Sequence, residues 1–178
     1  MAHTKSDTAA RARLIAIVNA RSFQEGPEMK LASGKTSTFY FNMKPTMLDS
    51  EGAHLIATLI LDQLDGVEAD LIGGLEMGAV PIASAVTAVA HSRGRKLPAF
   101  FVRKQAKEHG TKSLIEGLGP DESMAGKKVV IVEDVTTTGG SAIKAAEAIK
   151  AAGASIVRVI TVVDRLDGAA EAFASAGL

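Results

Sequence analysis

At 178 residues with 47% hydrophobic side chains, the chain is sized for one domain and is long enough to bury a core without covalent staples. It has no cysteine, which excludes a disulfide framework, a thiolate nucleophile and any cysteine-ligated metal, and points to a reducing, cytoplasmic setting. Its 20 basic and 20 acidic residues balance, which argues against nucleic acid as a partner, and neither the polar start MAHTKSDTAARAR nor any later run supplies a signal peptide or membrane span.

In chain order, residues 8–23 carry Leu14, Ile15, Ile17 and Val18 in an Ala/Arg-rich context, the pattern of a helix with one apolar face. Residues 38–43 are β-prone and follow the turn-like Ser33-Gly34. With Phe23 this stretch holds four of the chain's aromatic side chains. Residues 50–64 predict a helix with Asp49 or Ser50 as its N-cap, and 70–74 a short strand entering a glycine-rich loop. Pro81 marks the start of a helix over 81–90, and 98–103 is another strand. Residues 104–125 are polar and lack periodicity, and a loop that long inside a compact domain is usually functional. Around its start cluster Arg93, Arg95, Lys96, Arg103, Lys104, Lys107 and Lys112 against the single acid Glu108, a concentration suited to an anion. A buried-type strand over 128–132, a loop at 136–140, a helix over 141–152 stopped by Gly153, and a strand over 156–163 complete the series. Such alternation specifies an α/β fold: a mainly parallel sheet flanked by helices, undivided by repeats or linkers. Ligands of such sheets sit beyond the carboxyl ends of the strands, where the loops 73–78, 103–119 and 133–141 begin.

One segment combines a buried strand, two acids, a hydroxyl-rich glycine loop and a helix start: Val129-Val130-Ile131-Val132-Glu133-Asp134-Val135-Thr136-Thr137-Thr138-Gly139-Gly140-Ser141. Small residues let backbone N–H groups close around a phosphate, hydroxyls add donors, and the helix N-terminus adds a favourable dipole. Glu133 and Asp134, at the strand's end, are placed to accept hydrogen bonds from sugar hydroxyls or to lie near developing positive charge. An in-register strand would send them to opposite faces, so the loop is expected to turn at least one. Other nucleotide motifs fail: Gly34-Lys35-Thr36 lacks the P-loop's first glycine because position 29 is Met, and Gly73-Gly74-Leu75-Glu76-Met77-Gly78 breaks G-x-G-x-x-G at Leu75.

The Glu133 to Ser141 segment resembles the phosphoribosyl pyrophosphate (PRPP) signature of type I phosphoribosyltransferases. Three further segments are similar to the orotate phosphoribosyltransferase family. They are Leu31-Ala32-Ser33-Gly34-Lys35-Thr36-Ser37-Thr38-Phe39-Tyr40-Phe41-Asn42, Arg103-Lys104-Gln105-Ala106-Lys107-Glu108-His109-Gly110, and Asp164-Arg165. The resemblance covers nearly all of 23–165. It implies a type I phosphoribosyltransferase-like fold in which about residues 1–45 form a small hood over the base site. It also implies a homodimer in which the 103–119 loop of one subunit closes over PRPP in the other. Arg103, Lys104, Lys107, His109 and the stretch from Glu133 through Ser141 would bind PRPP, with Lys107, His109 and Asp134 as the catalytic residues. Orotate would meet Tyr40, Phe41, Thr137 and Arg165, an arrangement that suits a planar anion.

The resemblance implies transfer of the ribose 5-phosphate group to orotate, the step that leads to UMP. Magnesium is the implied cofactor, held mainly by PRPP and water with no direct protein ligand. Two departures stand out: many relatives carry lysine at the positions of Ala32 and Met77, and Lys35 or Lys44 is the available replacement. The chain also ends soon after Arg165, so any final helices should be short. The competing readings are a phosphoribosyltransferase for a purine base and a non-catalytic PRPP or nucleotide sensor.

Overall fold

The computed structural model describes residues 5–30, 36–105 and 114–178. Helix α1 (Lys5–Arg21) leads into an antiparallel hairpin of β1 (Phe23–Lys30) and β2 (Thr36–Phe41). A single-turn α2 (Lys44–Met47) and α3 (Ser50–Gln63) precede β3 (Leu71–Gly73), α4 (Ala79–Ser92) and β4 (Phe101–Val102). Then come β5 (Ile115–Glu116), β6 (Lys128–Thr136), α5 (Gly140–Ala151), β7 (Ser155–Asp164) and the short α6 (Ala169–Ser175).

The central sheet is parallel in the order β3-β6-β7. The segment before and within β4 extends it on the far side of β3, through parallel bridges Ile72 to Ala99 and Leu75 to Val102. On β6 the residues Val129 through Val132 are all fully buried, because both faces of the strand are covered. Alternate side chains therefore enter two cores. Val130 and Val132 pack with Ile56, Ile60, Ile82 and Val86 of α3 and α4, while Val129 and Ile131 pack with Ala142, Ala145, Ala146 and Ile149 of α5. The small residues of α5 let it lie close on the sheet, and Asp49 caps α3 by accepting the Gly52 N–H at 3.0 Å.

Several boundaries differ from the sequence expectation for physical reasons. The first helix stops two residues short of Phe23, and 23–30 becomes a strand because it pairs with β2. Helix α4 begins at Ala79, which places Pro81 in its first turn, where a missing N–H costs nothing. The strand expected to end at Val132 continues to Thr136, carried by its ladder with β7: Glu133 opposite Thr161, Val135 opposite Val163 and Thr136 opposite Asp164. A short β5 forms inside the polar loop and pairs with β4, fixing where the loop returns. No helix among the described residues is long and apolar enough to cross a membrane.

Candidate active site

Beyond the carboxyl ends of β3 and β6 lies a cleft in two adjoining parts. The first, about 290 Å³, is lined by Glu133, Val135, Thr136, Thr137, Thr138, Gly139, Gly140, Ser141 and Ala142. The second, about 430 Å³, is bounded by Tyr40, Phe41 and Lys44 from the hairpin side, by 75–78 and Pro81, and by Lys104, Glu133, Asp134, Val135, Thr137, Ser141 and Arg165 with Met47 and Leu48. The two share Glu133, Val135, Thr137 and Ser141 as a common wall.

The first part has the make-up that suits an anion. Gly139 precedes α5 in the left-handed conformation, φ 81°, and offers no side chain to cap the helix, so the first-turn N–H groups stay available. A Cβ at Gly139 would lie 2.7 Å from Cε1 of Phe173, so α6 packs against the back of the loop and limits its movement. Thr136 is buried, and its hydroxyl is engaged with the Thr161 hydroxyl at 2.9 Å, which ties the loop's first residue to β7.

The acids stand between the two parts. Both lie within β6, so neither is turned by the loop as the sequence had suggested, yet both line the second part of the cleft. Asp134 is seated against the 75–78 turn: a Cβ at Gly78 would lie 2.5 Å from its Oδ1, which also accepts the Val135 N–H at 2.8 Å. Glu133 is 6% exposed, and its Oε2 has no hydrogen-bond partner among the described residues. Burial, reinforced by the Asp134 charge and opposed by Lys104, pushes its carboxyl up to about 8. At neutral pH Glu133 is therefore largely protonated and can donate as well as accept, which suits a sugar hydroxyl.

In the second part, Arg165 follows β7 and its side chain is only 4% exposed. Its Nη1 donates to the Phe39 carbonyl at 3.2 Å, its Nη2 to Ser37 Oγ at 2.9 Å, and its guanidinium carbon lies 4.3 Å from the Phe39 ring centroid. Phe23, Phe39 and Phe41 form one aromatic cluster with centroids 5.2 to 6.1 Å apart. Tyr40 and Phe41, which the family resemblance points to, line the cleft; Phe39, which it does not single out, touches the arginine, and the alternation that puts Phe39 and Phe41 on one face is the available signal.

Lys104 is held by its backbone from two sides. Its N–H donates to Glu76 Oε1 at 2.8 Å and its carbonyl accepts from Lys144 Nζ at 2.8 Å, two supports that the sequence had not marked. Arg103 stands at the loop's base, donating to the Gln105 carbonyl at 3.2 Å and facing Glu116 at 4.0 Å. Lys107 and His109, together with Ala32 and Lys35, lie outside the described residues. Met77 is 61% exposed at the cleft wall, and Lys44 lines the same part. Among the described residues no group of three or more His, Cys, Asp or Glu is placed to hold a metal. Asp134 and Glu133 on the same wall nevertheless fit a cation brought in on the oxygens of a ligand, which would draw the proton from Glu133 as it binds.

Comparison with known proteins agrees with this geometry. The phosphoribosyl transferase domain family matches residues 46–174. An orotate phosphoribosyltransferase of Rhodopseudomonas palustris is 60% identical over 97% of this chain and 92% of its own length. Among solved structures, the orotate phosphoribosyltransferase of Mycobacterium tuberculosis in complex with Fe(III) dicitrate superimposes with a TM-score of 0.80 at 38% identity, covering 95% of this chain and 92% of the other. The M. tuberculosis enzyme in complex with PRPP gives a TM-score of 0.75 at 36% identity over 95% of this chain and 91% of the other.

Proposed function

The chain belongs to the orotate phosphoribosyltransferases of the phosphoribosyl transferase domain family, and on that premise we propose how its cleft carries out the reaction. The enzyme transfers ribose 5-phosphate from PRPP to orotate, giving orotidine 5′-monophosphate and pyrophosphate. The observation that supports this most directly is the common wall of Glu133, Val135, Thr137 and Ser141, which joins an anion cradle to a second cavity holding an aromatic hairpin and a buried arginine. A phosphorylated sugar spanning that wall presents its anomeric carbon to a base in the second cavity.

In this reading the 5-phosphate occupies the 137–141 cradle, and Glu133 and Asp134 hold the ribose hydroxyls. Tyr40 and Phe41 bound the planar base, and Arg165 meets its carboxylate. Deprotonated orotate N1 forms the bond to the anomeric carbon while the bond to pyrophosphate breaks and pyrophosphate leaves with the electron pair. The positive charge that develops on the sugar is stabilised by the adjacent carboxyl groups, chiefly Asp134. Arg103, Lys104, Lys107 and His109 receive the leaving group, and Lys44 replaces one of the cations that relatives place at the positions of Ala32 and Met77. Magnesium, when bound with PRPP, supplies charge neutralisation on the pyrophosphate.

Residues up to about 45 act as the hood. The working unit is a homodimer in the cytoplasm, with the 103–119 loop shared between subunits. An apolar groove between α1, α3 and β7, lined by Ile15, Val18, Leu59, Ile160 and Val162, is the kind of surface a second subunit covers.

The test is the ultraviolet absorbance of orotate with purified protein, PRPP and magnesium, with PRPP omitted in a control. PRPP-dependent loss of the orotate signal is expected. Consumption of a purine base instead would discard the orotate pocket, and PRPP binding without turnover of any base would make the protein a sensor.

A further inference from the structure

The hydroxyl of Ser37 sits at a crossing of three hydrogen bonds. It donates to the Phe39 carbonyl at 2.9 Å, accepts the Phe39 N–H at 3.2 Å and accepts from Arg165 Nη2 at 2.9 Å. The Phe39 carbonyl accepts in turn from Arg165 Nη1 at 3.2 Å. The fork formed by the two outer nitrogens of Arg165 is thus fixed to β2, across 128 and 126 residues of sequence. Arg165 Nε is buried and has no hydrogen-bond partner among the described residues, with the Asp167 carboxylate 3.6 Å away, beyond hydrogen-bond reach. A guanidinium has five N–H groups in a rigid plane, so anchoring one edge determines where the others point.

We propose that Ser37 is a positioning residue for base selection: with the Phe39 carbonyl it fixes the Arg165 plane so that the second N–H groups of its outer nitrogens meet the carboxylate of an anionic base, while the buried Nε faces Asp167. This rests on the orotate reading above and deepens it. Ser37 itself does not touch the base in this account; it acts through Arg165. Without its hydroxyl, Nη2 loses its acceptor and the plane is free to swing about the remaining bond to Phe39, while the phosphate cradle, built on β6 and α5, is untouched.

Steady-state kinetics of full-length Ser37→Ala test this, with KM for orotate and KM for PRPP measured separately. The orotate KM should rise about tenfold, the effect of one hydrogen bond to a charged group, with PRPP KM and kcat within about twofold of wild type. Ser37→Thr and Ser37→Val form a second pair, alike in shape with the hydroxyl of one replaced by a methyl in the other, so a general packing fault affects both. Threonine should keep the orotate KM near wild type and valine should not. An orotate KM unchanged in Ser37→Ala, a parallel rise in both KM values, or equal damage from threonine and valine would each overturn the proposal. Wild-type protein that consumes no orotate would instead remove the function on which it rests, and that control is read first.

Discussion

The two parts of the cleft are built in opposite ways. The part proposed to hold the phosphate comes from one stretch, between Glu133 and Ala142, mounted on a strand whose preceding residues are fully buried and on a helix of small residues packed against the sheet. The base side is assembled at a distance: Arg165 at the end of β7 meets Ser37 and Phe39 of a hairpin whose Phe39 and Tyr40 are 36% and 39% exposed. The difference is one of rigidity. Local connectivity and a dry core hold the cradle, whereas a few polar contacts and one aromatic cluster hold the base side. Substitutions that misplace a group at the cradle should therefore be expensive and specific, and those at the base side graded.

The largest effect is expected from Gly78→Ala. The new Cβ would fall 2.5 Å from Asp134 Oδ1, a distance that real Cβ atoms do not tolerate, and the carboxylate must shift. A displacement of about 1 Å at a reacting centre costs about a hundredfold, so kcat should fall by that order while the protein still folds. Retained kcat would mean that β6, the strand that carries the cradle, holds its acids less rigidly than its packing implies, and the comparison would lose its basis.

The next effect concerns Glu133 and is read as stability. Its folded carboxyl is raised to about 8 from 4.5, chiefly by burial. The sign is that of a penalty. Below 4.5 the group is protonated in both states and costs nothing; as pH rises the unfolded chain ionises first, and stability declines until the folded group ionises near 8. Each pH unit is worth about 1.4 kcal/mol, and with allowance for water reaching an open cleft the total is on the order of 2 kcal/mol at pH 9. Glu133→Gln should melt several degrees above wild type at pH 9, with the gap closing towards pH 4, and should bind PRPP more weakly. An equal gap at both pH values would show that the substitution acts through packing and not through charge.

This contrast also explains what the sequence disclosed. The cradle was legible because strand, acids, glycine loop and helix start are consecutive, and each residue type states its use locally. The alternation of apolar runs likewise announced the parallel sheet. Strand β1 was not legible: Phe-Gln-Glu-Gly-Pro-Glu-Met-Lys has no apolar alternation, its first residue falls at the end of the expected helix, and it is a strand only because β2 pairs with it. The register slips between Glu25 and Met29, so Pro27, which has no N–H to give, falls in the irregularity. The continuation of β6 through its two acids was hidden for the same reason, since β7 and not local apolar character sustains it. Ser37, Phe39 and Phe173 acquire their roles from partners far along the chain; strand alternation gives the face of Phe39, but nothing local names Arg165 or Gly139 as the partner.

The smallest effect is expected at the base side from Phe39→Leu. The ring lies 4.3 Å from the Arg165 guanidinium carbon, and leucine keeps an apolar contact with Phe23 and Phe41 but removes the ring's negative face. At a site 36% exposed, a cation–ring contact is worth about 0.5 to 1 kcal/mol, so the orotate KM should rise about threefold. Because the Phe39 carbonyl belongs to the backbone, its hydrogen bond from Nη1 survives the substitution, as does the Ser37 bond to Nη2. The fork should therefore keep its direction and lose only the surface beneath it. An orotate KM raised a hundredfold, to the scale expected for Gly78→Ala, would mean that the ring, not the hydrogen bonds, orients Arg165, and that the base side is held as tightly as the cradle.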